Sequence, residues 1–277
     1  MQTVLTIAGF DPSSGAGITA DLMVFAAHSL FGTACITALT VQSTLGVRSS
    51  HPVDAAVFGA TLDCLSADLP PSGIKIGMLA NATNICVISD FLATYRASHQ
   101  ASSAVQIPVV LDPVIRSSAG RELLDHQGIA ALQARMLPSV DWVTPNLDEL
   151  AVLSGEEVVR REDIPNACNR LQALAGRRDG RPLGVIATGG HLDPPDDYIL
   201  TPAGAGLWLT GERIDTRSTH GTGCSFSSAF LSRLVLGNSA IKAARGAKQY
   251  VAEAMRTAEH RGKGYSAMNY LWPLHKP

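Results

Sequence analysis

Apolar residues fall in short blocks along the chain, separated by longer stretches with a helical spacing. Val4–Ala8, Ala34–Val41, Gly73–Met78, Pro108–Leu111, Trp142–Thr144 and Leu183–Ala187 are compact runs bounded by glycine, proline or polar turns. Runs of this length read as strands, most of them buried on both faces. Ile18–Leu30, Val53–Leu69, Asn81–Ser98, Gly128–Leu137, a segment opening at Asn146, and Ile164–Ala175 read as helices. Tyr198–Arg213 predicts a hairpin, and the helices Thr222–Leu236 and Ser239–Glu259 follow it. Strands alternating with helices predict βαβ units, hence an α/β fold with a mainly parallel sheet and helices on both faces. No repeat or long linker divides the pattern, so residues 1–277 are expected to form one domain.

The alternation also predicts where chemistry collects, because ligands of such sheets bind beyond the carboxyl ends of the strands. Gly9–Gly17, Gln42, Met78, Asp112, Asn146 and Thr188–Gly190 each follow a predicted strand. Glycines and polar residues therefore gather along one edge of the sheet.

Composition narrows the partners. With 277 residues, 46% hydrophobic and only 17% charged, the chain can bury a large core. A net charge of −2 gives no general attraction to nucleic acid or membrane surfaces, and neither partner is expected. No formal charge occurs from Leu22 to Val47, but His28, Ser29, Gly32, Gln42 and Ser43 break that run into helix, turn and strand. The segment reads as buried βαβ structure rather than a membrane span. The five cysteines are scattered, without C-x-x-C spacing, which favours a reducing compartment. The amino terminus lacks a basic stretch and its apolar run ends at Asp11, so no cleaved leader is expected and a cytoplasmic location is.

The sharpest motif is Thr219-His220-Gly221-Thr222-Gly223-Cys224, immediately before a predicted helix. Glycines there let a ligand approach the backbone, and the helix start offers unpaired amides and the positive dipole end. Such a loop suits the anionic transition state of phosphoryl transfer. Cys224, in the first turn, is expected to have its thiolate favoured by the same dipole and to serve as a base. Alone, the hexapeptide is also compatible with a simple glycine turn.

Gly15-Ala16-Gly17-Ile18-Thr19-Ala20 matches G-x-G-x-x-G/A, but no carboxylate lies between Asp21 and Asp54 to hold a ribose, which argues against a dinucleotide site. A P-loop motif is absent. Asn146-Leu147-Asp148-Glu149 reads as a helix cap with Glu149 at the third position, and equally as a magnesium-holding acid at a helix start. Asp112 ends an apolar strand and is either a ligand contact or a turn starter. His191 and His220 read as loop hydrogen-bonders, with no second histidine at ligand spacing.

Together these segments resemble the hydroxymethylpyrimidine/phosphomethylpyrimidine kinase family. The match runs through Ala8–Ile18 with Ala20-Asp21-Leu22, Ile36–Leu39 with Gln42, Lys75–Leu79 and Asp112-Pro113-Val114. It continues in Thr144-Pro145-Asn146 with Glu149, Gly189-Gly190-His191, and Thr219–Cys224. The resemblance implies a ribokinase-like three-layer αβα sandwich. It also implies ATP- and magnesium-dependent phosphorylation of 4-amino-5-hydroxymethyl-2-methylpyrimidine to the monophosphate and then the diphosphate, in thiamine biosynthesis. Gly9, Asp21, Gln42, Met78 and Val114 would line the pyrimidine pocket, with Cys224 the base and Gly221, Thr222 and Gly223 the anion hole. Asp112, Asn146, Thr188, Gly189 and Gly190 would lie on the nucleotide side, with Glu149 and Asp112 toward magnesium. Relatives often dimerise, so a homodimer is a further expectation. The chain departs from the family pattern at Thr188, where lysine is usual, and in the ending Tyr265–Tyr270. Arg116 and Lys263 are the candidates to replace that charge. A pyridoxal or pyridoxine kinase, and a pyrimidine-binding sensor without turnover, are the competing readings.

Overall fold

A computed structural model describes residues 1–100, 107–117, 120–176 and 180–275. The first third of the chain runs β1 (Thr3–Phe10), α1 (Gly17–Ala27), β2 (Phe31–Ser43), β3 (Gly46–Pro52), α2 (Ala55–Asp68) and β4 (Ile74–Ile76). The middle continues with α3 (Ala82–Gln100), β5 (Val109–Leu111), α4 (His126–Ala131), β6 (Trp142–Val143), α5 (Leu147–Ser154), α6 (Ile164–Leu174) and β7 (Gly184–Ala187). The antiparallel pair β8 (Asp197–Leu200) and β9 (Gly206–Leu209) follows, then α7 (Thr222–Val235) and α8 (Ala240–Arg256). Among the described residues all strands join one nine-stranded sheet in the order β3-β2-β1-β4-β5-β6-β7-β8-β9. The pairs from β2 to β7 are parallel, and antiparallel pairing is confined to the two ends of the sheet.

Strand alternation divides the core in two. Val109 and Leu111 point into one layer and Val110 into the other, and Val185 and Ile186 divide in the same way. The first layer packs on α2, α3, α5 and α6 through Phe58, Ile85, Leu92, Leu150 and Leu171. The second packs on α1, α7 and α8 through Phe25, Phe230 and Tyr250. Each such side chain, fully buried, stabilises the fold by roughly 1.5–3 kcal/mol, so packing of both layers outweighs the weak propensities of two- and three-residue strands. The α/β architecture expected from the sequence is the one observed.

Three local features differ from expectation. β3 was not anticipated, since Gly46–Pro52 shows no apolar alternation. It needs none, because it is an edge strand held by its backbone pairing to β2. β2 in turn runs past its last contact with β1 at Leu39 to Ser43, so Gln42 lies within a strand rather than after one. A register shift between Val41 and Gln42 marks a bulge, a device that re-aims side chains. The expected helix over 128–137 begins at His126, widens into a π-turn over Leu132–Met136, and closes in a 3-10 turn containing Pro138. Among the described residues no helix is long and apolar enough to cross a membrane.

Candidate active site

β1 and β4 are neighbours although β2, β3 and α2 lie between them in the chain. Strand order therefore reverses at their carboxyl ends, the switch point at which open α/β sheets bind ligands. A cleft of about 1470 Å³ opens there and runs along the ends of β5, β6 and β7 to the β8–β9 pair. Small-ligand pockets occupy about 300–1,000 Å³, so this one has room for two ligands side by side.

At the β1–β4 end, Gly9, Met78 and Gln42 line the cleft, with Val114 after β5. A Cβ at position 9 would lie 2.8 Å from the Met78 sulfur, so a larger residue there would displace the thioether. The thioether thus lies directly over the backbone, an adaptable apolar surface facing a polar amide.

The floor of the cleft is the start of α7. Gly221 caps this helix in the left-handed conformation, φ 82°, and a Cβ on it would fall 1.8 Å from the Gly15 carbonyl oxygen. Only glycine allows that contact, which locks the loop after β1 against the loop before α7. Tyr270 fastens both: its hydroxyl donates to the Gly15 carbonyl and lies 3.1 Å from that of His220. The divergent ending Tyr265–Tyr270 is thus a wall of the site, and Tyr265 itself lines the cleft. Gly221, Thr222, Gly223 and Cys224 all face the same space, with the helix start open to an anion.

Cys224 does not meet the expectation of a ready thiolate. Burial pushes its thiol up to about 12, and the nearby Asp112 and Asp21 carboxylates push the same way against Lys75. The dipole of one helix start is too small to offset that desolvation.

Asp112 sits across from this loop, 5% exposed, and a Cβ on Gly223 would come within 3.8 Å of both its oxygens. Its Oδ2 is buried without a hydrogen-bond partner, and burial raises its proton affinity, with Lys75 opposing. Glu149 reaches toward it from α5. The expected cap is present: Asn146 Oδ1 accepts from Glu149 N at 2.9 Å, and Glu149 Oε2 accepts from Asn146 N at 3.0 Å. Oε1 accepts from Ile115 N at 3.3 Å. Burial, reinforced by Asp112, raises the Glu149 carboxyl to about 8.

This pair fits a magnesium ion in the way the ion is commonly held. No cluster of three acidic, histidine or cysteine side chains occurs among the described residues. Magnesium usually takes only one or two carboxylates, with phosphate oxygens and water completing its shell. An orphaned buried carboxylate oxygen beside a second carboxylate is the unsatisfied feature such an ion would relieve.

Two expected site residues lie elsewhere. Asp21 does not line the cleft. It is fully buried, accepting from Lys75 Nζ at 2.9 and 3.0 Å, from Thr6 Oγ1 at 2.5 Å and from Ser228 Oγ at 2.7 Å. It faces the sheet because a buried lysine in β4 requires a counter-charge. Asp11 is the carboxylate that lines the cleft instead. Gly189 also turns inward: its N–H donates to Asp197 Oδ1 at 2.9 Å, and a Cβ would strike the Asp196 carbonyl oxygen. Thr188 and Gly190 do face the cleft, as do Arg116, Arg245 and Lys248, whereas Lys263 is exposed. Lys248 pairs with Asp197 at 2.8 Å. The β8–β9 hairpin forms that end of the sheet, and Trp208–Ile214 wall the cleft beside it. Sequence reasoning missed Lys248 and the partnership of Asp11 with His220; the signal for Asp11 was its place in the glycine loop.

The model of the phosphomethylpyrimidine kinase family matches residues 11–269. The hydroxymethylpyrimidine/phosphomethylpyrimidine kinase of Aquifex aeolicus is 35% identical over 267 residues, covering 96% of this chain and 99% of that protein. A Bacillus subtilis pyridoxal kinase, solved as an ADP complex, superposes with a TM-score of 0.84 at 26% identity, covering 99% of this chain and all of the other. The phosphomethylpyrimidine kinase of Clostridium difficile gives 0.76 at 30% identity over 92% of this chain and 99% of its own. With its glycine loops, capped acid and open helix start in one cleft, this chain belongs to the phosphomethylpyrimidine kinase family.

Proposed function

We propose that the chain transfers the terminal phosphoryl group of ATP to the hydroxymethyl oxygen of 4-amino-5-hydroxymethyl-2-methylpyrimidine, and then phosphorylates the monophosphate, in thiamine biosynthesis. The observation that carries this reading is the single cleft in which an aminopyrimidine-sized pocket (Gly9, Gln42, Met78, Val114) adjoins the open start of α7. The nucleotide lies toward Thr188, Gly190 and the β8–β9 hairpin.

The steps follow from the residues. Gln42 can donate to and accept from the aminopyrimidine edge while Met78 covers the ring. The amides from Gly221 to Cys224 stabilise charge that grows on the transferred phosphoryl oxygens. Cys224, whose thiol retains its proton in the ligand-free protein, releases that proton to solvent as both substrates bind and, as the thiolate, takes the proton of the substrate hydroxyl. Asp112 and Glu149 would hold magnesium, whose charge offsets that of the phosphates and lowers the proton affinity of neighbouring groups. Arg116 and Arg245 supply positive charge along the cleft despite Thr188, while the Lys248 charge is paired with Asp197.

Residues 1–277 act as one kinase domain in this reading, supported by the single sheet. Free cysteines throughout the described chain support a cytoplasmic setting. The exposed Leu39, Val41 and Leu45 on the β2–β3 extension support a homodimer built there.

Incubating the purified protein with magnesium-ATP and hydroxymethylpyrimidine, with pyridoxal in parallel, tests the proposal when products are resolved by mass. Pyrimidine mono- and diphosphate are the expected products. Pyridoxal phosphate alone would reassign the substrate to that of the Bacillus subtilis neighbour, and binding without product would leave a sensor.

A further inference from the structure

One hydrogen-bond network at the acceptor end has a proton too many as its heavy atoms stand. His220 Nε2 lies 2.7 Å from Asp11 Oδ2 and 3.0 Å from Gln42 Nε2. Asp11 is 3% exposed, and its other oxygen accepts from Ser13 N at 2.8 Å and Ser13 Oγ at 2.7 Å. Burial alone would raise its proton affinity, but the bonds from His220 and Ser13 outweigh that and hold the carboxyl below its usual range. An ionised carboxylate only accepts, so the proton between Asp11 and His220 sits on Nε2. That N–H then faces the NH2 of Gln42, donor against donor.

Rotating the amide by half a turn removes the conflict, and oxygen and nitrogen are similar enough in size that nothing else moves. Thr40 checks the result. Its hydroxyl is 2.8 Å from the Phe10 carbonyl oxygen and 3.2 Å from the Gln42 amide. With one proton to give, Thr40 donates to Phe10 and accepts from Gln42 nitrogen. The single His220 Nε2–H is then shared between the Asp11 carboxylate and the Gln42 oxygen, and one of the two Gln42 N–H groups is taken by Thr40.

We propose that Asp11 and His220 are positioning residues that fix the Gln42 amide with its oxygen toward His220 and its nitrogen toward Thr40, and thereby set the donor–acceptor order offered to the acceptor ring. The inference rests on the functional reading above only for the identity of that ring. One N–H and one oxygen lone pair of Gln42 remain free, matching a ring that presents an amino group beside a bare ring nitrogen. The scaffold holds the histidine rigidly: its ring packs on Gly15, where a Cβ would fall 2.0 Å from His220 Cδ2, and its backbone N–H donates to the Ser266 carbonyl.

The test has two arms. In the nitrogen-15 spectrum of the ligand-free protein, the His220 signals, identified by their loss in His220→Gln, should show a protonated Nε2. A bare Nε2 would overturn the network outright. In steady-state kinetics, Asp11→Asn and His220→Leu should raise KM for hydroxymethylpyrimidine about tenfold, the value of roughly one hydrogen bond, with KM for ATP within about twofold. His220→Gln, whose amide can donate to Asp11, should recover most of the loss. Equal rises for both substrates, or no rise in His220→Leu, would overturn the positioning role. Failure of the wild type to phosphorylate the pyrimidine would sink the functional reading, while the nitrogen spectrum still decides the network.

Discussion

Two buried aspartates, one beneath the anion loop and one at its mouth, separate structure from chemistry in this molecule. Asp21 accepts four hydrogen bonds, two of them from the ammonium of Lys75, and is sealed from the cleft. Lys75 would lose proton affinity on burial alone, but Asp21 more than restores it and keeps it above the usual lysine range. Asp112 is almost as buried, yet one of its oxygens has no partner in the protein. A group left unsatisfied at the carboxyl end of a strand carries a cost that a proton, a water or a ligand relieves. The satisfied aspartate holds four elements together through Thr6, Lys75, Ser228 and its own helix, whereas the unsatisfied one waits for the reaction.

The contrast can be broken from either side. The largest effect is expected from Lys75→Met, which leaves the Asp21 charge buried without its counter-ion. About 3–5 kcal/mol of stability should disappear in denaturant titrations, and Lys75→Met with Asp21→Leu should regain much of it. Undiminished stability in Lys75→Met would show that the pair is not the anchor of α1, α7 and β4. Next is Cys224→Ala, for which kcat should fall about 10²–10⁴-fold while calorimetry finds pyrimidine binding retained. Unchanged turnover would remove Cys224 from the mechanism. The smallest effect sharpens the electrostatics. Glu149 has its carboxyl raised from 4.5 to about 8, so the folded state holds a proton that the unfolded state releases. Stability is therefore lost as pH rises through that window, and Glu149→Gln should gain a few degrees in Tm over wild type at pH 8 but almost none at pH 5. A pH-independent difference would mean that Glu149 titrates normally.

Much of this was legible in the chain. The βαβ order needed only the spacing of apolar blocks, because strands buried on both faces have to be short and continuous. Gly9, Gln42, Met78, Asp112 and Asn146 were each placed at one sheet edge, and the structure brings them into one cleft with the 219–224 loop. What stayed hidden depends on direction rather than position. Asp21 belongs to a recognisable motif, but motif membership does not say which way a helical side chain points; the lysine inside the apolar run Gly73–Met78 was the clue that a buried partner existed. Gly189 and Gly190 are adjacent and chemically identical, and only the Asp196 carbonyl packed on the first tells them apart. β3 carries no apolar alternation to read. The tilt of Cys224 toward the neutral thiol comes chiefly from burial, reinforced by Asp112 and Asp21, which lie 112 and more residues away in the chain and meet it only in the fold.

The most direct test of the division between the two aspartates is Asp112→Asn, assayed beside wild type for both Tm and magnesium-ATP-dependent phosphorylation of hydroxymethylpyrimidine. The account predicts a Tm equal to or above wild type, since no protein contact of Asp112 Oδ2 is lost, with turnover reduced about 10²–10³-fold. Turnover near the wild-type rate, or a loss of activity that merely follows a loss of Tm, would contradict it.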